Sequence, residues 1–510
     1  MSGTLTVQGA SHSGIVPIPT DFPGRINALL TSYLDGLSGS IAGGTAGFEN
    51  VNVISGKIEQ SSVSASGLEE FTNTDSIASS AGGHGFGKHG LESSDPFNHG
   101  RGNDGFGNRD HGDRDGRDHD HGHGKNGRDG QSGQGSGTNN DTASGSFTVN
   151  ASANTVIVSA AGDETIQGNG VTNVAIFGAT SNVTYSDTNG GSAKAADSIF
   201  ASGGNDSITT FSTTNTGSSY QIFSAGNDTI NLKNQGTDSV IATGTAHTHV
   251  FISQGEATVT ATDSSVVRVN ETGSGTLDFI NNSSNAATVL SSSNQDGSAL
   301  NAVTAFGGAG GGFYAGGLAG NNSLVGGTGT VTLQGGGNND FLEANSSIGT
   351  NLLMAGAGTE TLLASSASGS NTFQVGLSPD SAHGAIVSNG VVSTEGSGIQ
   401  TFMLGSSDST TLTGSSAAGA LNLYDFVRDS ATEANGPANF TITNFSANSA
   451  IFITDSTPGA GAVSITAIGN QLGGGGAEIL LSDKTTINLT GVSAKSIVAS
   501  TDSNGTIRII

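Results

Sequence analysis

Cysteine and tryptophan are absent from this 510-residue chain, proline occurs seven times, and 16 basic side chains stand against 42 acidic ones, a formal charge of −26. Without cysteine there is no disulfide framework, no cysteine-held zinc or iron–sulfur centre and no thiol nucleophile. The acidic excess repels phosphate backbones, which removes nucleic acid as an expected partner and leaves cations. No apolar run approaches the roughly 18 residues that a membrane-spanning helix needs. The start of the chain lacks a basic segment followed by an apolar one, so no Sec-type leader is read there and export would use another route. Five tyrosines and no tryptophan leave few platforms for stacking sugars. No nucleophile elbow, Walker loop or HExxH motif occurs either, so an enzyme is not expected.

What the chain has is glycine, 82 residues of it, and many short β-rich runs. Composition divides it into four parts. Residues 1–81 make a small N-terminal module of unassigned role, with a helix expected from about Asp21, as N-cap ahead of Pro23, to Leu37. Residues 82–137 are so rich in Gly, Asp, His and Arg that they cannot bury enough surface to offset chain entropy, and a disordered linker is expected. Its His111, His119, His121 and His123 could chelate Zn²⁺ or Ni²⁺, but amid so many charged neighbours such metal would be adventitious. The stretch 82–135 holds 9 acidic and 7 basic residues, which leaves 33 and 9, a charge of −24, on the rest. The acidity therefore belongs to the β-rich parts, residues 138–436 and a C-terminal β domain at 437–510.

A period runs through those parts. Ile176, Ile199 and Ile222 are each followed by Phe, at separations of 23 and 23, and Ile241 follows after 19. Steps near 20 residues fit one coil of a parallel β-solenoid. A second marker falls between these runs: Gly204-Asn205-Asp206-Ser207-Ile208 returns as Gly226-Asn227-Asp228-Thr229-Ile230 and as Gly236-Thr237-Asp238-Ser239-Val240. Weaker copies carry Glu164, Glu360 and Asn371, and Asn339-Asp340 follows the glycine run 335–337. The acidic or amide positions are 22 and 10 apart in the first group and 20 and 11 in the second, alternating between a whole coil and half a coil. The apolar residue two places after each acid should point into the coil, because strand side chains alternate. The glycine is read as the residue that permits φ > 0 at a turn. Carboxylates stacked turn on turn would repel, and a cation taking six to eight oxygens would relieve that, so Ca²⁺ is the expected partner. The bland reading is that Gly-Asn-Asp simply makes tight turns. His247 and His249, two apart on one strand, are read as an exposed pair and not a site.

These residues resemble the nonapeptide GGxGxDxUx of RTX proteins, in which U is a large apolar residue. Ala201–Thr209 (ASGGNDSIT) and Phe223–Asn231 (FSAGNDTIN) keep its fourth-position glycine, its aspartate and its apolar residue, with Ser202 and Ser224 in place of the second glycine. The stretches Phe440–Asp455 and Gly473–Ile497, with the terminal TIRII, are similar to the end of proteins exported by type I secretion, which carry an uncleaved C-terminal signal. The resemblance implies an all-β, parallel β-solenoid or β-roll of about 20 residues per coil, holding calcium through Gly204, Asn205, Asp206, Gly226, Asn227, Asp228, Gly236, Asp238, Asn339 and Asp340. It further implies an extracellular or cell-surface bacterial protein that folds on calcium outside the cell and serves as matrix, surface layer or adhesin. Matrix or cell-surface polysaccharide and self-association are the other expected contacts. The rival expectation is a carbohydrate-active parallel β-helix that binds or cleaves polysaccharide.

Overall fold

The computed structural model describes residues 3–8, 13–18, 22, 24–42, 47–53, 58–61, 67–73, 144–149, 155–168, 173–187, 196–210, 219–291, 302–318, 320–345, 349–365, 369–377, 388–405, 407, 409–428, 438–455 and 463–510. The expected linker at 82–137, with its histidines, lies outside them. Residues 1–75 and 142–510 form one compact unit.

That unit is a parallel β-solenoid. Each coil gives one strand to each of two sheets, and each strand pairs in parallel with its counterpart one coil on. In the first sheet Ser207–Thr209 pairs with Thr229–Leu232, which pairs with His247–Ile252 and then Val266–Glu271. In the second, Ala196–Ala201 pairs with Ser219–Ser224, then Thr237–Ala242, then Glu256–Ala261. Register partners Ile230, Val250 and Val269 stand 20 and 19 residues apart, the expected coil length. The half-coil spacing is also real: Ile208 and Ile230 share the first sheet, while Val240 pairs with Ile222 in the second. Strands Thr155–Gly168 and Asn173–Asp187 run through a corner without a break, so each serves both sheets.

The solenoid begins well before residue 138. Gly47–Val53 pairs in parallel with Gly67–Asn73, which pairs with Thr155–Gly168, and Ile58–Ser61 pairs with Ser144–Val149. The region read as a separate N-terminal module thus supplies early coils, and Gly67–Asn73 and Ser144–Val149, far apart in sequence, serve neighbouring rows of the same solenoid. Ahead of these coils the helix Gly24–Ala42 starts just after Pro23, where a fixed φ suits helix entry. It buries Leu30 and Leu34, one turn apart.

Alternation builds the core. In Glu256–Ala261 every second residue, Ala257, Val259 and Ala261, is buried, and its neighbours are not. Opposite files from the two sheets then fill a thin interior: Ile230, Val250, Val269 and Val289 on one side, Val240, Val259 and Phe279 on the other, all at 0 % exposure. Large and small residues complement each other, as where the fully buried Tyr314 shares its coil with Ala305. Farther along, Phe373, Phe402 and Tyr424 stack on consecutive coils at 5.1 and 4.6 Å between ring centres.

One expected phase is corrected by the register. Ile199 and Ile222 are inward partners of Ala175 and Val240, whereas Ile176 and Ile241 align with Phe200 and Phe223 on the adjacent row. Phe200 and Phe223 stack at 4.8 Å, and Phe22 packs edge-on to Phe200 at 6.2 Å. The outer row is apolar where Phe22, just ahead of the helix, packs against Phe200.

At the C-terminal end the parallel order stops. Ser449–Asp455 takes Ile507–Ile509 as an antiparallel partner, while Asn439–Thr443 pairs in parallel with Thr486–Thr490, which continues antiparallel into Gly476–Leu481 and Ile465–Asn470. Reversed strands at this end occupy the edges that a bare last coil would leave open.

Candidate functional site: the inward acid files

The motif does not protrude as a turn. Burial alternates without interruption through it: Ser202, Gly204, Asp206, Ile208 and Thr210 are buried, while Gly203 and Asn205 are exposed. The same holds for Ser224, Gly226, Asp228 and Ile230, with Asn227 outside, and for Gly236, Asp238 and Val240. Asp340 is buried and Asn339 exposed. Each acid shares the inward face with the apolar residue two places on. Exposures of Asp206, Asp228, Asp238 and Asp340 lie between 1 and 3 %.

Each inward acid closes the coil before it. A coil corner leaves one strand-leading N–H without a ladder partner, and burial makes that costly. Asp206 Oδ1 accepts the N–H of Val183 at 2.7 Å, and Asp228 Oδ1 accepts the N–H of Asp206 at 3.0 Å. In the second sheet Asp238 Oδ1 accepts from the Tyr220 N–H at 3.0 Å and from Asn234 Nδ2 at 2.8 Å. Farther on, Asn322 Oδ1 accepts from Val303 N, Asp340 Oδ1 from Asn322 N, and Glu360 Oε2 from Asp340 N, at 3.1, 2.8 and 3.1 Å. Where the ladder needs no charge the chain uses amides: Asn351 Nδ2 donates to Asn371 Oδ1 and Asn371 Nδ2 to Gln400 Oε1, both at 2.8 Å. Glu360, Asn322, Asn351, Asn371 and Gln400 thus belong to the same system as the predicted acids, and their common signal is a polar residue two places before a buried apolar one.

Burial governs the charge state. It pushes Asp206 up to about 8, with the adjacent Asp228 adding to the shift. Burial likewise lifts Glu360 to about 9, with Asp340 next to it contributing, Asp238 to about 7, Asp228 to about 6 and Glu271 to about 7. Asp340 is raised by burial too, against the hydrogen bonds from Asn322 and Gly336. At neutral pH these shifts favour the carboxylic acid at Asp206 and Glu360, whereas Asp228 is largely carboxylate.

Calcium needs six to eight oxygens around one point, and the donor set does not fit it. Both oxygens of Asp228 are engaged, Oδ1 by Asp206 N and Oδ2 by Ser224 Oγ at 2.7 Å. Asp340 is equally committed, to Asn322 through Oδ1 and to Gly336 N through Oδ2 at 2.7 Å. Asp206 Oδ2 and Glu360 Oε1 are single buried oxygens without a hydrogen-bond partner. Among the described residues no three His, Asp or Glu side chains gather to hold a metal. The outer amides stack on themselves, Asn205 donating to Asn182 Oδ1 at 3.1 Å and Asn339 N to Asn321 Oδ1 at 3.4 Å.

The glycines also have a different task from the one expected. Neither Gly204, Gly226 nor Gly236 has φ > 0, whereas the neighbouring Gly203 does. Gly226 instead lacks room: a Cβ there would strike the backbone of Gly204 in the coil below and lie 2.9 Å from Asp228 Oδ1. Since backbone cannot yield as a side chain can, Gly226→Ala should lower stability by roughly 1–3 kcal/mol, read as a lower urea midpoint with an unchanged slope.

His247 and His249 are exposed, as expected. His249 lies beside Arg268 of the next coil; partial burial first, and then that guanidinium, hold it below its ordinary value. Comparison of the chain with protein-family models, curated proteins and solved structures finds no match in any of the three.

Proposed function

We propose that this protein is an extracellular structural or adhesive solenoid whose outer strand rows engage matrix or cell-surface polysaccharide. The observation that carries the reading is the investment of the interior in acid and amide files that seal each coil to the one before it. Such files serve the persistence of a repeated surface and leave the chemistry-bearing oxygens inaccessible to a substrate. The surface so held is repetitive and hydrogen-bonding: Ser239, Thr258, Asp278, Thr304 and Ser323 stand in register on successive coils of one outer face. Strand spacing sets these groups about 4.8 Å apart. No step in this reading passes through calcium, since the oxygens of Asp228 and Asp340 are committed to donors of the protein itself.

Co-sedimentation of the full chain with insoluble cell-wall and matrix polysaccharide tests the proposal. The expected result is retention on the polymer with no new reducing ends on prolonged incubation. Turnover would favour the carbohydrate-active rival, and a chain left wholly in the supernatant would contradict adhesion.

A further inference from the structure

Where the solenoid changes from parallel to antiparallel pairing, its outer face carries a cavity of about 430 Å³. Thr441, Asn488 and Glu478 form the floor, in register on three neighbouring strands. Thr490 extends it, and Asn470, Gln471 and Leu472 border it. The tight connection after Asn470 is closed by Gln471 N donating to Gly476 O at 2.8 Å. Its glycines Gly473 and Gly474 have φ of 101° and 80°, which bends the chain back so that Gln471 Nε2 reaches Asn488 Oδ1 at 3.1 Å. Leu472 is thereby held out at 106 % relative exposure, the most exposed large apolar side chain among the described residues.

The chemistry of the lining is selective. Amides and hydroxyls can each donate and accept, as sugar hydroxyls can. Glu478 is exposed and offers two acceptor oxygens to a pair of hydroxyl donors. Among the described residues no Lys or Arg lines the cavity, so a uronate, sulfate or phosphate group would meet a lone carboxylate and nothing to neutralise it. Leu472 supplies one apolar surface for the C–H face of a sugar ring. We propose that this cavity is a binding site for a neutral, hydroxyl-rich glycan, with Glu478 gripping hydroxyls, Asn488 held in place by Gln471 and Asn439, and Leu472 covering the ring. It rests on the adhesive reading above and names its ligand class and its place.

Affinity electrophoresis of the full chain in gels containing amylose, mixed-linkage β-glucan or mannan tests the site, with alginate as the charged control. The expected result is retardation by at least one neutral polymer and none by alginate, with Glu478→Ala or Leu472→Ser weakening it about tenfold, as loss of one good contact does. Both positions are exposed, and unchanged circular dichroism and urea midpoints would establish that the variants fold. Retardation untouched by both variants would overturn the site while leaving the adhesive reading in place. Retardation by alginate, or by no neutral polymer while the chain still co-sediments with matrix polysaccharide, would overturn the neutral-glycan assignment alone. Absence of both retardation and co-sedimentation would remove the two together.

Discussion

Raising the pH from about 5 to about 8.5 should destabilise this protein by several kcal/mol, since each buried acid forced to ionise costs roughly 1.4 kcal/mol per pH unit over its window. The sign follows from the direction of the shifts. Asp206, Asp228, Asp238, Glu271 and Glu360 all titrate higher in the folded chain than their ordinary values of 3.8 or 4.5, at about 8, 6, 7, 7 and 9. The folded chain therefore holds protons that the unfolded chain has released. This contribution is whole below the unfolded values and is lost as pH rises through the folded ones. An opposite, smaller effect sets in on the acid side, where Asp263 is held low by the Thr243 hydroxyl and the Gly244 amide and is weakened as it is protonated. Thermal unfolding should give a maximum near pH 4, close to the unfolded values, and a falling limb from there through about pH 8.5. A rising limb between about pH 5 and 8.5 would mean that these carboxyls are ionised and paired in the folded state.

The second large effect is expected at Asp228. Asp228→Ala removes the acceptor of the Asp206 and Gly226 N–H groups at once, while the Ser224 hydroxyl keeps Thr248 Oγ1, and each buried donor left unpaired costs about 1–3 kcal/mol. A total loss of roughly 2–5 kcal/mol is expected on the same grounds. Asp228→Asn keeps an oxygen for Asp206 N, and the serine hydroxyl can turn to accept from the new amide. It also removes the charge that helps raise Asp206. The asparagine variant should therefore match the parent near pH 4 and exceed it increasingly up to about pH 8.5, in urea unfolding with or without calcium. Equal damage from Asn and Ala would show that the negative charge itself is required, as a cation site would require it.

These expectations depend on a parity that was legible from the start. If Ile208 faces inward, Asp206 two residues earlier faces inward as well, because a strand alternates with period two. The tight-turn reading of Gly-Asn-Asp conflicts with that rule, which places the aspartate on the same face as the isoleucine. The alternation in fact runs unbroken from Ser202 to Thr210. The coil length, the two-sheet alternation of the motif and the all-β class were readable because they need only spacing. The phase at Ile176 and Ile241 was not: paired apolar residues leave both faces eligible, and only the Phe22 contact with Phe200 explains why the outer one is apolar. Nor was the start of the solenoid legible, because residues 74–143 separate strands such as Gly67–Asn73 and Thr155–Gly168 that pair directly. The cavity beside Leu472 was hidden for a similar reason, since Thr441 and Asn488 meet only through a pairing that skips the intervening strands.

Infrared titration of the full chain tests the central claim most directly, because protonated and ionised carboxyls absorb at separate positions. The protonated-acid carbonyl band should persist above about pH 6, fade through the range of about 6 to 9 in which the buried acids titrate, shrink in Asp206→Asn and Glu360→Gln, and ignore millimolar calcium. Complete ionisation by about pH 5.5, with carboxylate bands that shift when calcium is added, would contradict it.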